Sequence, residues 1–154
     1  MTTLAAAGAG FLIAVLWFDL MFDVQTRGHA GDVLPNAVLT SIASYYRRVT
    51  TDASPMGRLV GAVMLLTLLV LGTEVVTARL AWWIAWPSLA AATSAVSLSL
   101  IRTVRNAIRL GSRADHPELQ ARLARAIYRD HLYCLAAMML VVVLQVAAPW
   151  LGGR

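Results

Sequence analysis

The chain has 154 residues, of which 59% are hydrophobic and 14% are charged, with a mean hydropathy of +0.68. Soluble domains are about 45–50% apolar and about 25% charged, and a chain this short has too little interior to hide the excess apolar surface. A single cysteine and a modest glycine and proline content also exclude a disulfide framework and a disordered chain. The composition therefore predicts a small membrane-embedded protein.

Four apolar segments are long enough to form membrane-spanning helices, which need about 20 residues each. They cover residues 4–26, 56–78, 81–110 and 118–149. These runs are too long and too continuous for the alternating strands of a membrane barrel. The sequence predicts an all-α polytopic membrane protein, a single domain over residues 1–154 folded as an antiparallel four-helix transmembrane bundle.

The N-terminal segment is interpreted as a retained span rather than a cleaved signal. No basic residue precedes it, and Asp19 and Asp23 stand where a cleavage site would need small residues. The connection that follows contains the segment 35–50, which has apolar residues at helical spacing and carries Arg47 and Arg48 near its end. This pattern is typical of an amphipathic helix that lies on the inner leaflet.

Single residues of the second and third spans carry further predictions. Gly57 and Gly61 match the small-xxx-small pattern that allows close helix packing, within the bundle or between subunits. Glu74 lies near the outer interface, where it could mark an outer gate or a proton entry point, although such a residue more often reaches the headgroups or pairs with a cation such as Arg79. Gly111 is predicted to end a helical extension of the third span.

The arginines indicate the orientation of the chain. All thirteen basic residues are Arg. Counted outside the apolar cores of the four spans (residues 4–22, 59–77, 82–101 and 132–150), four lie between the first and second cores, seven between the third and fourth, one in the short connection and one at the C-terminus. Because Arg accumulates on the cytoplasmic side, we expect a multi-pass protein of the inner (cytoplasmic) membrane with both termini outside. The same residues predict contacts with anionic lipid head groups. Nucleic acid is not an expected partner, since no aromatic platform lies among the arginines.

Ionisable side chains gather at one depth near the inner leaflet. Counted at about 1.5 Å per residue from an outer edge at Thr3, Asp19 and Asp23 lie roughly 24 and 30 Å deep. Counted from Pro149, His131 lies roughly 27 Å deep. Polar groups in hydrocarbon should face protein or water, so we expect these helices to turn them toward a common interior. The candidate ligand-binding residues are Asp19, Asp23, Arg102, Arg105, Asn106, Arg129, Asp130 and His131.

Three functions fit this set of residues. The first is the binding or transport of a small anionic or amphiphilic ligand, or of protons, in a cytoplasm-facing cavity. The second is a membrane enzyme acting on a lipid-like substrate, with Asp19 or His131 as general base; Arg102 and Arg105 would hold an anionic head group. The third is an accessory subunit of a larger complex, in which both carboxylates only pair with these arginines.

The sequence does not identify a metal, a cofactor or a partner protein. Asp19, Asp23 and His131 could form a carboxylate–imidazole metal site, but no local metal-binding motif accompanies them, so this is the weaker interpretation. A buried histidine is more often neutral and hydrogen-bonded, here to Asp19 or Tyr128. No motif identifies a cofactor. Because four short spans leave little room for a transport pathway within one chain, we expect a homo-oligomer or a partner membrane subunit.

Overall fold

The computed structural model describes residues 1–29 and 31–151, and over these residues it is all-helical, without strands. Six α-helices follow one another: α1 (Thr2–Asp23), α2 (Asn36–Arg47), α3 (Ser54–Val76), α4 (Trp82–Leu98), α5 (Val104–Ser112) and α6 (Pro117–Leu151). Four stretches are long and apolar enough to cross a membrane: Thr2–Thr26, Pro55–Val76, Trp82–Ser112 and Pro117–Trp150. The architecture is that of a membrane-embedded helical protein.

The four long helices each pack against two neighbours. α1 lies against α3 and α6, and α4 lies against the same two helices, whereas α3 and α6 have no direct backbone packing within the described residues. Small residues line the closest contacts: Ala5 and Ala9 of α1, Ala92 of α4 and Ala137 of α6 are all buried. Small side chains let the helix backbones approach closely, so dispersion contacts can hold them together in lipid.

Large apolar side chains cover the outer surface. Trp17, Leu65, Trp82, Trp86 and Trp150 are all more than half exposed. Continuous apolar surface on this scale would be a liability for a soluble monomer, but it is the surface that acyl chains require. The tryptophans of α4 and α6 lie at helix ends, which agrees with their preference for the membrane–water interface.

The amphipathic helix α2 is covered by protein rather than by lipid alone. Its apolar face buries Leu39, Ile42 and Tyr46, which form a second core with Leu110 of α5 and Ile127 of α6. Amphipathicity predicts that one face is buried, but it cannot tell a lipid surface from a neighbouring helix. The consequence is that α2 is fixed against α5 and α6, and its tyrosines point into the protein.

Two glycines permit close helix contacts, and they are not the predicted pair. A Cβ on Gly8 would overlap the side chain of Thr67 on α3, and a Cβ on Gly111 would lie 2.8 Å from the backbone nitrogen of Arg47. Gly57 and Gly61 have no such neighbour within the described chain. The prediction that Gly111 ends the helix is wrong, because α5 continues to Ser112 and Arg113 adopts the left-handed conformation (φ 57°). Gly111 serves packing instead.

A π-helical turn, Ser99–Thr103, joins α4 to α5 inside the third span. The extra residue of such a turn changes the direction of the side chains that follow it, and these turns often occur at functional sites. Here the turn orients Arg102 and Thr103 toward α6, where both contact Asp130.

Candidate functional site

A buried acidic cluster forms where α1, α2 and α6 meet. Asp19 and Asp23 are one helical turn apart on α1 and therefore share a face. Tyr45 and Tyr46 reach them from the end of α2, and His131 reaches them from α6. Asp23 is completely buried and His131 is 6% exposed. We call these five residues the Asp–His cluster.

The imidazole of His131 lies between the two carboxylates. Its Nδ1 is 2.6 Å from Oδ2 of Asp23, and its Nε2 is 3.8 Å from Oδ2 of Asp19. The first distance is a short hydrogen bond, whereas the second is too long for one. An ionised Asp23 only accepts hydrogen bonds, so Nδ1 carries the hydrogen when Asp23 is a carboxylate. Asp23 then orients the ring, and Nε2 faces Asp19.

Each carboxylate also accepts a hydrogen bond from a tyrosine. Tyr46 donates to Oδ1 of Asp23 and Tyr45 donates to Oδ1 of Asp19, both at 2.6 Å. Burial, followed by the nearby aspartate charges, raises the pKa of both phenols well above the usual value of 10.0. The tyrosines are therefore neutral hydrogen-bond donors over the whole physiological range of pH. Tyr45 is held in place by stacking on Phe22, with ring centroids 4.0 Å apart.

An apolar cavity of about 140 Å³ adjoins this cluster between α1, α3, α4 and α6. Asp19, Tyr46 and His131 contribute polar groups to its wall, whereas most of the remaining lining is aliphatic, including Leu12 and Met138. A dry cavity of about 150 Å³ is large enough to hold benzene. The cavity therefore has room for one ring or a short chain, with an acid and an imidazole available to a polar group on it.

A second ionic group, Arg102 with Asp130, lies between the third span and α6. Arg102 forms a two-pronged ion pair with Asp130, which also accepts a 3.2 Å hydrogen bond from Thr103. Arg102, Asp130 and Arg129 line a wide surface groove between the third span and α6, separate from the cavity. Asp130 and His131 face different neighbours because consecutive helical residues point about 100° apart.

The structure thus divides the predicted set of site residues. Asp19, Asp23 and His131 come together; Arg102, Arg129 and Asp130 lie at the groove; Arg105 is exposed and Asn106 is half-buried, and neither lines the cavity or the groove. The expected pairing of the two α1 carboxylates with Arg102 and Arg105 is replaced by pairing with His131 and the two tyrosines.

Sequence reasoning missed Tyr45 and Tyr46 as members of the site. Both stand on the apolar face of α2, which was expected to lie on the leaflet. The available signal was the pair of adjacent phenols on that face, since a buried tyrosine hydroxyl needs a polar partner.

Asp19, Asp23 and His131 do not converge on one point. Among residues 1–29 and 31–151, no three His, Cys, Asp or Glu side chains are arranged to hold a metal ion. The physical reason is that Asp19 and Asp23 approach opposite nitrogens of His131, so the three groups share no common point.

Glu74 does not occupy the interface position expected for it. Its side chain is 1% exposed, and it neither reaches solvent nor pairs with Arg79 in the part of the chain that the structure describes. The residue instead points into the protein, in the half of α3 remote from the Asp–His cluster.

Comparison with protein-family models, with curated protein sequences and with solved structures gave no match to this chain. The function must therefore be argued from the site itself.

Proposed function

We propose that this protein binds a small amphiphilic ligand in the cavity between α1, α3, α4 and α6, and that binding or transport of the ligand is linked to protons at Asp19 and His131. The observation that supports this most directly is the placement of Nε2 of His131 and Oδ2 of Asp19, 3.8 Å apart, beside an apolar cavity. A proton or a polar ligand group placed between these two atoms would satisfy both.

The charge of the cluster favours a cationic or hydrogen-bond-donating ligand group. With both carboxylates ionised, the cluster carries a net charge of about −2 when the imidazole is neutral and about −1 when it is protonated. The arginine expected to attract anions, Arg102, is already neutralised by Asp130 at the separate groove. An anionic ligand would therefore find a like charge at the polar end of the cavity, which costs free energy in a low-dielectric site.

The proposal includes a setting in the membrane. We propose an antiparallel four-helix bundle in the inner membrane with both termini outside, so that the Asp–His cluster lies toward the cytoplasm and the Arg-rich connections contact anionic head groups. A homo-oligomer or a partner membrane subunit would provide the wider pathway that four spans lack.

The first experiment measures the binding of three ring-sized probes to the purified protein by titration calorimetry. We expect benzylamine and benzyl alcohol to bind and benzoate not to bind. Asp19→Asn should weaken benzylamine binding about tenfold or more, since a charge-assisted hydrogen bond contributes about 1.5–3 kcal/mol. Asp32→Asn, at an exposed loop position, is the matched control.

The same titrations report the proton linkage. When they are repeated in two buffers of different ionisation enthalpy, the measured heats should differ for benzylamine, because the bound ammonium displaces a proton from the Asp19–His131 pair. The difference should vanish in Asp19→Asn. Tight binding of benzoate, or an unchanged affinity and proton release in Asp19→Asn, would contradict the proposal.

An enzyme acting on a lipid-like substrate is the second candidate, because a carboxylate that orients a histidine is a common form of general base. The cavity volume disfavours a whole lipid, and Arg102 is not positioned to hold its head group there. A stoichiometric lipid found by mass spectrometry of the purified protein would favour the enzyme, and a stoichiometric partner chain would favour the accessory role.

A further inference from the structure

A second buried polar group lies far from the Asp–His cluster. Glu74 on α3 and Gln145 on α6 are each 1% exposed, and Gln145 is the polar side chain that faces Glu74. Within the described residues, four of the six buried side-chain atoms that lack a hydrogen-bond partner are the terminal atoms of these two residues. Buried unsatisfied polar atoms cost about 1–3 kcal/mol each, so four at one place require an explanation.

The position of the Glu74–Gln145 pair in the fold also requires an explanation. Gln145 and His131 are both on α6, fourteen residues and therefore about 21 Å apart along the helix axis. α3 and α6 do not pack directly on each other, so the two side chains meet across the interior between α1 and α4. A carboxyl and an amide buried between membrane-spanning helices cost free energy, and polar residues inside such spans are usually functional.

The four unsatisfied atoms match one chemical arrangement. A neutral carboxylic acid and a primary amide can form two reciprocal hydrogen bonds: the acid O–H donates to the amide oxygen, and the amide N–H donates to the acid carbonyl oxygen. This ring uses Oε1 and Oε2 of Glu74 and Oε1 and Nε2 of Gln145. We infer that Glu74 and Gln145 form a second proton-binding site, in which Glu74 holds the proton and Gln145 stabilises the protonated form.

An ionised Glu74 or a bound cation would satisfy these four atoms less well than a proton does. An ionised Glu74 would accept from the amide N–H but would leave the amide oxygen of Gln145 without a donor and facing a negative charge. A bound cation would use the oxygen atoms and leave the amide N–H unsatisfied. An added proton gives each of the four atoms a hydrogen-bond partner without any further molecule at the site.

Few charged groups act on Glu74. From α1 the amino group of Met1 does so, and as a cation it favours the carboxylate; the two aspartates of α1 lie at its opposite end. α4 has no ionisable side chain, and α6 has none from residue 135 to residue 150. The inference goes beyond the proposed ligand site, because it requires neither the cavity nor the Asp–His cluster.

The test uses the fact that the chain contains only two glutamates, Glu74 and Glu118. Protein labelled with ¹³C at the glutamate side-chain carboxyl should show two signals by infrared or nuclear magnetic resonance spectroscopy. At pH 7 we expect one protonated carboxyl, from Glu74, and one carboxylate, from Glu118, which lies exposed at the start of α6. Because the wild-type protein is used, the result does not depend on a variant that folds.

Two variants assign the signals. Glu74→Gln should remove the protonated signal and keep the fold, since two amides can form the same hydrogen-bonded ring, and Glu118→Gln should remove the carboxylate signal. Gln145→Leu should shift the protonated signal to that of a free acid, because the apolar surroundings still disfavour the carboxylate. Two carboxylate signals at pH 7, or a sodium-dependent signal that does not respond to pH, would overturn the inference. Asp19→Asn should leave the Glu74 signal unchanged, so this test and that of the ligand site fail independently.

Discussion

At the level of single residues, the Asp–His cluster depends on hydrogen bonds that leave few alternatives. Asp23 is completely buried, and its two oxygens accept from Tyr46 and His131. Tyr46→Phe preserves the ring and its packing but removes one donor from this carboxylate. We expect a loss of about 1–3 kcal/mol in the free energy of unfolding, because the acceptor that remains cannot reach water. Chemical denaturation in detergent would measure it.

The matched control is Tyr45→Phe. Tyr45 keeps its stacking on Phe22 in this variant, and its partner Asp19 is 16% exposed at the side chain, so water can replace the lost hydroxyl. The expected loss is therefore smaller than for Tyr46→Phe. Equal losses in the two variants would contradict the assignment of Asp23 as the buried member that orients His131.

Depth counting from the sequence predicts that Asp19, Asp23 and His131 lie at one level, but it cannot identify their hydrogen-bond partners. Asp19, Asp23 and His131 were placed at one level because helix rise is constant. Their hydrogen-bond partners depend on rotation about each helix axis and on where α2 docks, which are decided by tertiary packing. The same limitation explains why Asp130 joins Arg102 instead, and why Glu74 is buried rather than at the interface.

At the level of elements, the contact between α2 and α5 positions the tyrosines. Gly111→Ala would place a methyl group 2.8 Å from the backbone nitrogen and 3.0 Å from the Cα of Arg47, which is the residue after Tyr46. Backbone cannot rotate away, so α2 must shift from α5. Although alanine is favoured over glycine in a helix by about 1 kcal/mol, we expect net destabilisation of about 1–3 kcal/mol from overpacking.

The control for this variant is Gly61→Ala, in α3, where a Cβ meets no atom within 4 Å. There the helix preference should act alone, and the variant should be neutral or more stable. Gly111→Ala should therefore lower the thermal unfolding temperature, whereas Gly61→Ala should leave it unchanged or raise it. Stabilisation by Gly111→Ala would show that α2 does not pack this closely on α5, and with it the placement of Tyr46 would be in doubt.

Hydropathy predicts the long helices, but it does not predict where the short helices α2 and α5 dock. Four apolar runs predict four long helices because backbone groups in lipid must be satisfied within the segment. The docking of α2 on α5 brings the backbone of Arg47 against Gly111, and a glycine near the end of a helical segment has the same sequence signature as a helix end. The π-helical turn at Ser99–Thr103 has no signature in the sequence pattern at all.

At the level of the whole molecule, the orientation of the chain in the membrane decides which side the Asp–His cluster faces. We expect the connection between α3 and α4 outside and the connection between α5 and α6 in the cytoplasm, because seven of the thirteen arginines lie in or beside the connection between α5 and α6. In a Cys134→Ala background, Thr77→Cys should react with a membrane-impermeant maleimide on intact cells. Ala114→Cys should react only after the membrane is permeabilised; both native residues are exposed in the structure. The reverse labelling pattern would place the Asp–His cluster toward the outside and would make Glu74 and Gln145 the proton site nearer the cytoplasm.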